Sequence, residues 1–321
     1  MSILVTGGTG FVGSYLVKEL VKRNLDVVVF DYMPNFSLLS EVKNKCKIIK
    51  GDLTYPSDIF SVVFENKVTD IFHLGSVLAE VCEEKPFTGF KVNLEGTLNL
   101  LEAARLNNVN KFIFASSISV FGKDVNEPVL DNSIKNPATF YGITKLAAEH
   151  ICRWYYQKYG LDVRGARFPW VYGPGRKRGI TRLYSSSLLD RVALREEVEI
   201  ENPEEKGDWI YVKDAVKALY LLWEVPYTKQ CFYNISGGTH TIREVMKIVK
   251  RIMPEAIIRY KNNESIFSPY PSSYSDRLAQ EELGWIPSYS IKKGVKEHLE
   301  TVIEENRKYK ENVNNEGKIK K

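Results

Sequence analysis

Tyr141 and Lys145 stand four residues apart in the segment NPATFYGITKLAAEH, where the sequence predicts the start of a helix. Residues with this spacing lie on the same face of a helix, so the ammonium group would lie near the phenol. A nearby positive charge lowers the pKa of a tyrosine, and the resulting phenolate could take the proton of a secondary alcohol while hydride leaves for an acceptor. A packed aromatic ring beside a surface lysine has the same spacing, so the pair alone leaves its role open.

Three glycines, Gly7, Gly10 and Gly13, lie between the first predicted strand and the first predicted helix, with GxxGxxG spacing. Because glycine has no side chain, backbone amides can approach a pyrophosphate group at the helix N-terminus. A tight turn that merely happens to be rich in glycine is the alternative. The strand before the turn and the helix after it are the context that favours a dinucleotide site.

The second predicted strand ends at Asp31, eighteen residues after Gly13. A carboxylate at this position is placed to accept hydrogen bonds from both ribose hydroxyls of an adenosine, and it would repel a 2′-phosphate. No Arg or Lys occurs between Asp31 and Lys43 to bind such a phosphate. The predicted cofactor is therefore NAD rather than NADP, and an Asp that simply caps a strand is the alternative.

The elements that must position these residues alternate between short β-branched runs and amphipathic segments. Strands are predicted at 3–5, 27–30, 47–49, 71–74, 111–115 and 163–168, with helices at 11–23, 93–106 and 141–160 between them. Such alternation is typical of βαβ units. The predicted fold class is α/β, a Rossmann-type doubly wound parallel sheet with a smaller mixed C-terminal substrate domain.

The pattern changes after residue 168. The sequence predicts a long loop at 169–181, helices at 182–195, 213–224 and 241–252, a strand at 231–235 and a further element at 279–287. We therefore expect an NAD-binding domain over 1–168, to which about 208–240 returns. A substrate-binding part would comprise 169–207 and 241–305, and 306–321 would be a polar, basic and frayed tail.

The overall charge does not indicate a nucleic-acid partner. The net charge is +5, but the segment from Arg307 to Lys321 carries six basic and two acidic residues, which accounts for nearly all the excess. The chain has no long apolar run or basic leader, so neither a membrane span nor secretion is expected. The four cysteines and four histidines lack metal-ligand or disulfide-framework spacing, so we expect a cytoplasmic protein without a metal site.

Further motifs resemble the NAD-dependent epimerase/dehydratase family of extended short-chain dehydrogenases. They follow the family's order up to residue 287: TGGTGFVG, GDL (51–53), HLGS (73–76), VNLEGTLNLLEAA (92–104), FASSISVFG (114–122), YGITK (141–145), VYGPG (171–175) and ELGWIP (282–287). The resemblance implies that Ser117, Tyr141 and Lys145 are the catalytic set. It implies NAD contacts from Gly7, Gly10, Phe11, Val12, Gly13, Asp31, Asp52, Leu53, Leu74, Gly75, Ser76, Asn93, Tyr141, Lys145 and Phe168.

The chain departs from the nucleotide-sugar epimerases of that family. Their phosphate-binding arginine is replaced by Gly207 in KGDWIYV, a second expected arginine is missing from SIFSP (265–269), and Pro169 and Trp170 replace another family motif. Other segments, HLGSVLAEVCEEKP (73–86) and KYGLDVR (158–164), resemble the short-chain L-threonine 3-dehydrogenases. The substrate loop of that group becomes GPGRKRGITRLY (173–184) here, where Arg176, Lys177 and Arg178 form either a basic cluster for an anionic substrate or a solvated loop. The predicted substrate contacts are Ser117, Trp170, Arg176 and Thr181.

The predicted function is NAD-dependent hydride transfer at a secondary alcohol or keto carbon of a small polar hydroxy compound or sugar. One alternative is a sugar or nucleotide-sugar 4-epimerase similar to UDP-glucose 4-epimerase, and another is a regulator that senses NAD without catalysis. The resemblance further implies a homodimer built from the helices around 93–106 and 141–160. The expected partners are therefore a small-molecule substrate and a second copy of the chain.

Overall fold

The computed structural model describes residues 2–261 and 268–319. Its strands are β1 (Ser2–Thr6), β2 (Asp26–Asp31), β3 (Lys47–Lys50), β4 (Val68–His73), β5 (Lys111–Ser117), β6 (Asp162–Phe168), β7 (Trp170–Tyr172), β8 (Val198–Ile200), β9 (Lys206–Tyr211), β10 (Phe232–Asn234), β11 (Thr239–Thr241) and β12 (Ile258–Tyr260). Its α-helices are α1 (Phe11–Lys22), α2 (Pro56–Glu65), α3 (Ala79–Glu84), α4 (Pro86–Gly89), α5 (Gly96–Leu106), α6 (Phe140–Tyr159), α7 (Ser186–Ala193), α8 (Val212–Glu224), α9 (Ile242–Ile252), α10 (Arg277–Leu283) and α11 (Ile291–Ile319).

Seven of these strands form one parallel sheet in the order β3-β2-β1-β4-β5-β6-β10. In the register of the central strands, Val5 of β1 lies between Val29 of β2 and Phe72 of β4. The order reverses between β1 and β4, which opens a crevice at the carboxyl ends of these strands. The predicted doubly wound sheet is confirmed, and all six strands predicted for its first part are present.

Helices cover both faces of the sheet, so strands such as β1 and β2 are buried on both sides and their central residues are apolar. On one face, α1 and α8 pack on the sheet through residues such as Leu16 and Leu219. On the other face, α2, α5 and α6 pack through residues such as Val62, Leu100 and Cys152. Burial of each such side chain stabilises the fold by about 1.5–3 kcal/mol.

The second half of the chain adds a three-stranded sheet, β11-β9-β7, and a two-stranded sheet, β12-β8. β7 pairs in parallel with β9, and Trp170 lies opposite Trp209. The long loop predicted over 169–181 is therefore wrong at its start, because Trp170–Tyr172 is a strand. β10 pairs with β6 and joins the main sheet. Residues 265–267, where part of an expected arginine motif falls, lie outside the described residues.

Several boundaries differ from the prediction for local reasons. α2 was not predicted, although Pro56 begins it and Ile59, Val62 and Val63 form its buried face. The helix predicted over 93–106 begins as a π-helical segment at Phe90–Glu95 before it becomes α5. The frayed tail is also wrong, since α11 continues to Ile319, and ion pairs of Arg307 with Glu304 and Glu311 link successive turns. None of the helices in the described residues is long and apolar enough to cross a bilayer.

Candidate active site

The glycine turn lies at the carboxyl end of β1, at the edge of the crevice. Gly7 has φ +65°, and a Cβ there would lie 2.8 Å from the backbone nitrogen of Gly75. A Cβ on Gly13 would lie 2.2 Å from the carbonyl oxygen of Gly7. Side chains would therefore push the turn away from both β4 and α1. The turn is compact only with glycine at these positions.

The N-terminus of α1 leaves backbone amides for an anion. Gly10 is the N-cap residue and supplies no capping side chain, and the first turn, which contains Phe11 and Val12, has no acidic residue. A helix N-terminus without a cap or an acidic side chain has N–H groups and a partial positive charge that suit a pyrophosphate. The residues present therefore fit a dinucleotide at this position.

Asp31 lies at the carboxyl end of β2, beside the glycine turn. Its carboxylate accepts hydrogen bonds from the Thr9 hydroxyl at 2.6 Å and from the Thr9 and Met33 amides at 3.2 and 3.3 Å. These bonds fix its orientation on the partly exposed edge of the crevice. Further along this edge, the Asp52 carboxylate accepts hydrogen bonds from the amide and the hydroxyl of Thr54. Leu53, between these two residues, is buried against Gly75 and Gly96. Asp31, Asp52 and Leu53 thus lie near one another at the carboxyl ends of β2 and β3.

The loop after β4 contains Leu74, Gly75 and Ser76, which are all partly exposed. It is held by a chain of hydrogen bonds through His73, whose ring nitrogens lie 2.7 Å from the Thr6 hydroxyl and 2.9 Å from the Thr97 hydroxyl. The Gly75 amide donates to the same Thr6 oxygen at 3.1 Å. Burial lowers the pKa of His73 to about 3, so the ring is neutral and links β1, β4 and α5.

Asn93 lies in the π-helical segment before α5 and is buried. Its side-chain amide accepts from the Val77 amide at 2.8 Å and donates to the Val77 carbonyl and the Thr144 hydroxyl at 3.0 and 3.2 Å. Asn93 therefore ties the loop after β4 to α6. Phe168, the other predicted cofactor residue in this part of the fold, ends β6 and is 8% exposed.

Ser117 and Tyr141 come together at the carboxyl end of β5. Ser117 ends the strand, and Tyr141 lies in the first turn of α6, whose N-cap Thr139 accepts a hydrogen bond from the Gly142 amide. Burial raises the pKa of Tyr141 above its usual value, whereas a hydrogen bond with Ser117 and the charge of Arg176 act to lower it. Ser117 and Tyr141 are thus neighbours at this end of the sheet, where the Ser117 hydroxyl donates to that of Ser119 at 3.0 Å.

Lys145 follows one turn later on α6, and its side chain is almost completely buried. Its ammonium group donates to the Ala115 carbonyl at 2.9 Å and lies 4.8 Å from the Phe114 ring centroid and 5.7 Å from that of Tyr141. Burial lowers the pKa of Lys145 to about 8. The expected lowering of the Tyr141 pKa by Lys145 stays a prediction, and the charge of Arg176 acts in the same direction.

The basic cluster predicted after β7 divides into two parts. Lys177 and Arg178 are exposed, whereas Arg176 turns back toward the site and is partly buried. Its guanidinium donates to the Val171 carbonyl and to the Thr181 hydroxyl, both at 2.6 Å. Arg176 and Thr181, two of the predicted substrate residues, are therefore in direct contact with each other.

Trp170, the remaining predicted substrate residue, is 4% exposed and packs into the core. Its ring lies over Gly207, where a Cβ would be 2.4 Å from Trp170 Cε3. The indole therefore fills the space that a side chain at position 207 would need, which is the position of the epimerases' phosphate-binding arginine. Only a small edge of this ring could reach a substrate.

The sequence reasoning missed two residues beside the catalytic set. The Ser119 hydroxyl lies 3.0 Å from that of Ser117, and Tyr270 hydrogen-bonds Thr139 at 3.1 Å and raises the pKa of Tyr141. Ser119 could have been suspected from the SSIS pattern, but nothing in the sequence places Tyr270 near α6. Across 2–261 and 268–319, no group of His, Cys, Asp and Glu could hold a metal ion.

Comparison with known proteins places this arrangement in context. Residues 3–236 match the model of the NAD-dependent epimerase/dehydratase family. The D-erythronate dehydrogenase of Haemophilus influenzae is 28% identical over 280 residues, which cover 83% of this chain and 88% of that protein. The structure of L-threonine dehydrogenase from Clostridium difficile is similar with a TM-score of 0.85 and 28% identity, and the match covers 95% of this chain and 98% of that one.

The structure of the UDP-glucose 4-epimerase of Thermus thermophilus in complex with NAD is also similar. Its TM-score is 0.81 with 28% identity, and the match covers 94% of this chain and 99% of that one. The matched proteins thus include both dehydrogenases and an epimerase.

Proposed function

The chain belongs to the NAD-dependent epimerase/dehydratase family, and from that premise we propose that it transfers hydride at a secondary alcohol or keto carbon of a small polar hydroxy compound or sugar. The observation that carries the proposal is the grouping of Ser117 at the end of β5 with Tyr141 and Lys145 on α6, where the buried ammonium group lies 5.7 Å from the centroid of the tyrosine ring. These groups lie at the carboxyl edge of the sheet that holds the glycine turn. A proton acceptor and an oxygen-binding donor are therefore next to the dinucleotide site.

In the proposed reaction, the substrate oxygen lies between Ser117 and Tyr141. Tyr141 as phenolate takes the hydroxyl proton during oxidation and returns it during reduction. Ser117 donates a hydrogen bond to the substrate oxygen and stabilises the negative charge that develops there. When bound, NAD supplies the hydride acceptor, and the positive charge of its oxidised ring favours the phenolate.

Lys145 has a separate role in this proposal. It is held by the Ala115 carbonyl and has two further N–H groups, which would bind the cofactor's ribose. Its charge in the low-dielectric interior favours the ionised form of Tyr141 when substrate and cofactor displace water. We assign NAD contacts to the glycine turn with Phe11 and Val12, to Asp31, Asp52 and Leu53, and to the loop Leu74–Ser76. Asn93 and Phe168 complete the predicted set.

A small substrate is supported by the packing of Trp170 over Gly207. Position 207 is a glycine whose side-chain space is filled by the indole, so no arginine at this position could bind the phosphates of a nucleotide sugar. The D-erythronate dehydrogenase and L-threonine dehydrogenase among the similar proteins are named for small hydroxy compounds. The nucleotide-sugar 4-epimerase remains the second candidate, supported by the likeness to the Thermus thermophilus enzyme. A regulator without catalysis would not need the intact Ser117, Tyr141 and Lys145.

The catalytic assignment is tested by Tyr141→Phe, which removes only the phenol oxygen. We expect NAD reduction with the best substrate of a panel of alcohols, sugars and hydroxy acids to fall by about 10²–10⁴-fold, with unchanged thermal stability. The matched control is Tyr156→Phe, an exposed tyrosine on the same helix. Full turnover by Tyr141→Phe would exclude the assignment. Conversion of UDP-glucose without net release of NADH would favour the epimerase.

The proposal also covers the oligomeric state and the cellular location of the protein. We expect a homodimer that packs through α5 and α6, because exposed apolar side chains, among them Leu98, Ile143 and Trp154, lie on these neighbouring helices. All four cysteines are free thiols, which supports a reducing, cytoplasmic location.

A further inference from the structure

A Cβ on Gly179 would lie 2.8 Å from Nη2 of Arg176 and 3.4 Å from Leu78, so the guanidinium of Arg176 lies next to the segment that follows β4. Among the described residues it is bound only by uncharged acceptors. Its Nη1 donates to the Val171 carbonyl and its Nη2 to the Thr181 hydroxyl, both at 2.6 Å, while Nε donates to the Arg178 carbonyl at 3.3 Å. A guanidinium has five N–H groups, of which these bonds use three. One N–H on each terminal nitrogen is therefore left without an acceptor in the described part of the chain.

The positive charge of Arg176 is also unpaired. No carboxylate among the described residues forms an ion pair with it, and the nearest influences are the field of the exposed Glu80 and the repulsive field of Arg182. Burial lowers the pKa of Arg176 to about 10. A partly buried cation beside another cation is costly unless an anion compensates it. Arg182 likewise makes no side-chain hydrogen bond or ion pair within the described residues.

Arg176 lies close enough to the catalytic tyrosine for the two groups to influence each other. The charge of Arg176 acts to lower the pKa of Tyr141, and the charge of ionised Tyr141 acts to raise that of Arg176. Arg176 and Tyr141 also border the same short helix, because Leu78 at the start of α3 lies next to Arg176 and Glu83 of α3 accepts a hydrogen bond from the Tyr141 amide at 3.2 Å. An anion bound by Arg176 would therefore lie on the side of the site where Tyr141 reacts.

We propose that Arg176 binds a carboxylate of the substrate, so that the substrate is a short hydroxy acid or keto acid whose carboxylate lies within a few bonds of the reacting carbon. This inference rests on the proposed hydride transfer and names the substrate class. The two free N–H groups, one on each terminal nitrogen, match the two oxygens of a carboxylate in a bidentate pair. Thr181 fixes the orientation of the guanidinium, and Arg182 adds positive potential.

The packing of Trp170 supports Arg176, rather than position 207, as the residue that binds the negative charge of the substrate. The position at which a phosphate-binding arginine would be expected is Gly207, and the Trp170 ring covers it. Lys177 and Arg178 of the same loop are exposed, whereas Arg176 and Arg182 are partly buried. Within the described residues, Arg176 thus offers one free N–H group on each terminal nitrogen, which suits a single planar anion.

The test compares acids with their uncharged counterparts. Lactate, β-hydroxybutyrate, erythronate and threonine, each beside its primary amide, are assayed for kcat/KM in NAD reduction. The ratio of kcat/KM for acid and amide is measured in the wild type, Arg176→Gln, Arg176→Lys and the control Lys177→Gln. Binding without turnover is measured by calorimetric titration of α-hydroxyisobutyrate, a tertiary alcohol that cannot lose hydride, into the NAD complex.

We expect the wild type to prefer the best acid over its amide by on the order of 100-fold, as for a charge-assisted bidentate pair. Arg176→Gln should reduce this ratio to near one, because the acid loses rate and the amide does not. Arg176→Lys should keep part of the preference, since lysine retains the positive charge but lacks the planar guanidinium with its paired N–H donors. Lys177→Gln should leave the ratio within about threefold, as is usual for a solvated charge. Affinity for α-hydroxyisobutyrate should fall in parallel with the ratio.

Other outcomes would overturn the inference. If amides react as well as acids, or Arg176→Gln lowers both rates equally, Arg176 supports the loop and does not bind the anion. If neutral sugars, sugar phosphates or UDP-glucose are the substrates and no acid reacts, the carboxylate inference fails while hydride transfer by Tyr141 stands. If nothing in the panel reacts although NAD binds, the proposed function fails as well. Because each ratio is taken within one variant, a general loss of stability does not mimic the expected result.

Discussion

The indole of Trp170 lies so close to the backbone of Gly207 that a Cβ at position 207 would be 2.4 Å from Cε3 of the ring. The ring can occupy this place beside β9 only because residue 207 lacks a side chain. We expect Gly207→Ala to lower the free energy of unfolding by about 1–3 kcal/mol, as overpacking of a core does. Urea denaturation measures this directly.

A double-mutant cycle isolates the contact. Trp170→Leu removes the ring and is itself destabilising because it leaves a cavity. In that background, Gly207→Ala should cost much less than in the wild type, since the clash has gone. Additive effects of the two substitutions would show that the ring does not limit position 207.

We expect Asp31 to determine the preference of the protein for NAD over NADP. Thr9 and Met33 fix its carboxylate at the edge of the crevice. This negative charge would repel a 2′-phosphate, so the wild type should bind NAD in preference to NADP. In Asp31→Asn, the ratio of the two dissociation constants should move toward NADP by about tenfold or more, since one charge repulsion is worth about 1.4 kcal/mol or more at this distance. Fluorescence titration with each reduced cofactor measures both constants.

The control for this experiment is Asp26→Asn, which removes an exposed carboxylate at the other end of β2. It should leave the ratio unchanged. An Asp31→Asn protein with the preference of the wild type would mean that Asp31 does not approach the ribose.

The sequence could predict the sheet because the strands are buried on both faces. Runs such as ILV at 3–5 and VVVF at 27–30 are continuously apolar and β-branched, and they alternate with amphipathic helices. The same local logic placed the glycine turn, Asp31 and the pair Tyr141 and Lys145. Short helices such as α2 and α3 carry too few turns for a clear period and were missed.

The contacts that specify the site are long-range, and no local pattern encodes them. Arg176 turns inward because the Val171 carbonyl and Thr181 hydroxyl are available in the folded loop, whereas its neighbour Lys177 stays in solvent. Tyr270 meets Thr139 across more than a hundred residues of sequence. The position of Lys145 near Tyr141 followed from helical spacing, whereas the Ala115 carbonyl that holds its ammonium group lies on β5, 30 residues earlier in the sequence.

His73 should make the stability of the protein depend on pH. Burial lowers its pKa in the folded state to about 3, compared with about 6.5 in an unfolded chain. The unfolded state therefore binds one more proton between these values, so stability is fully present above pH ~6.5 and is lost as the pH falls. Between pH ~7 and ~5 the loss from this residue should be about 2 kcal/mol.

The contribution of His73 is separated from that of the carboxylates by substitution. His73→Asn should be less stable at neutral pH, because the bridge between Thr6 and Thr97 is cut, but its stability should fall less steeply on acidification. His150→Asn, a substitution of an exposed histidine on α6, is the control. Denaturation curves at several pH values give the slopes. Equal slopes for His73→Asn and the wild type would contradict a neutral, buried ring.

The proposed dimer depends on apolar side chains that α5 and α6 leave in solvent. Leu98 is 41% and Trp154 50% exposed, and they lie on helices that pack side by side. If a second copy covers them, a carboxylate at either position would be buried without a partner, which costs several kcal/mol. Leu98→Glu and Trp154→Glu should therefore sediment as monomers at concentrations where the wild type is a dimer. Ile303→Glu, at a similarly exposed residue of α11, should remain dimeric. A wild type that sediments as a monomer would refute the dimer, and unchanged assembly of both variants would place its interface elsewhere.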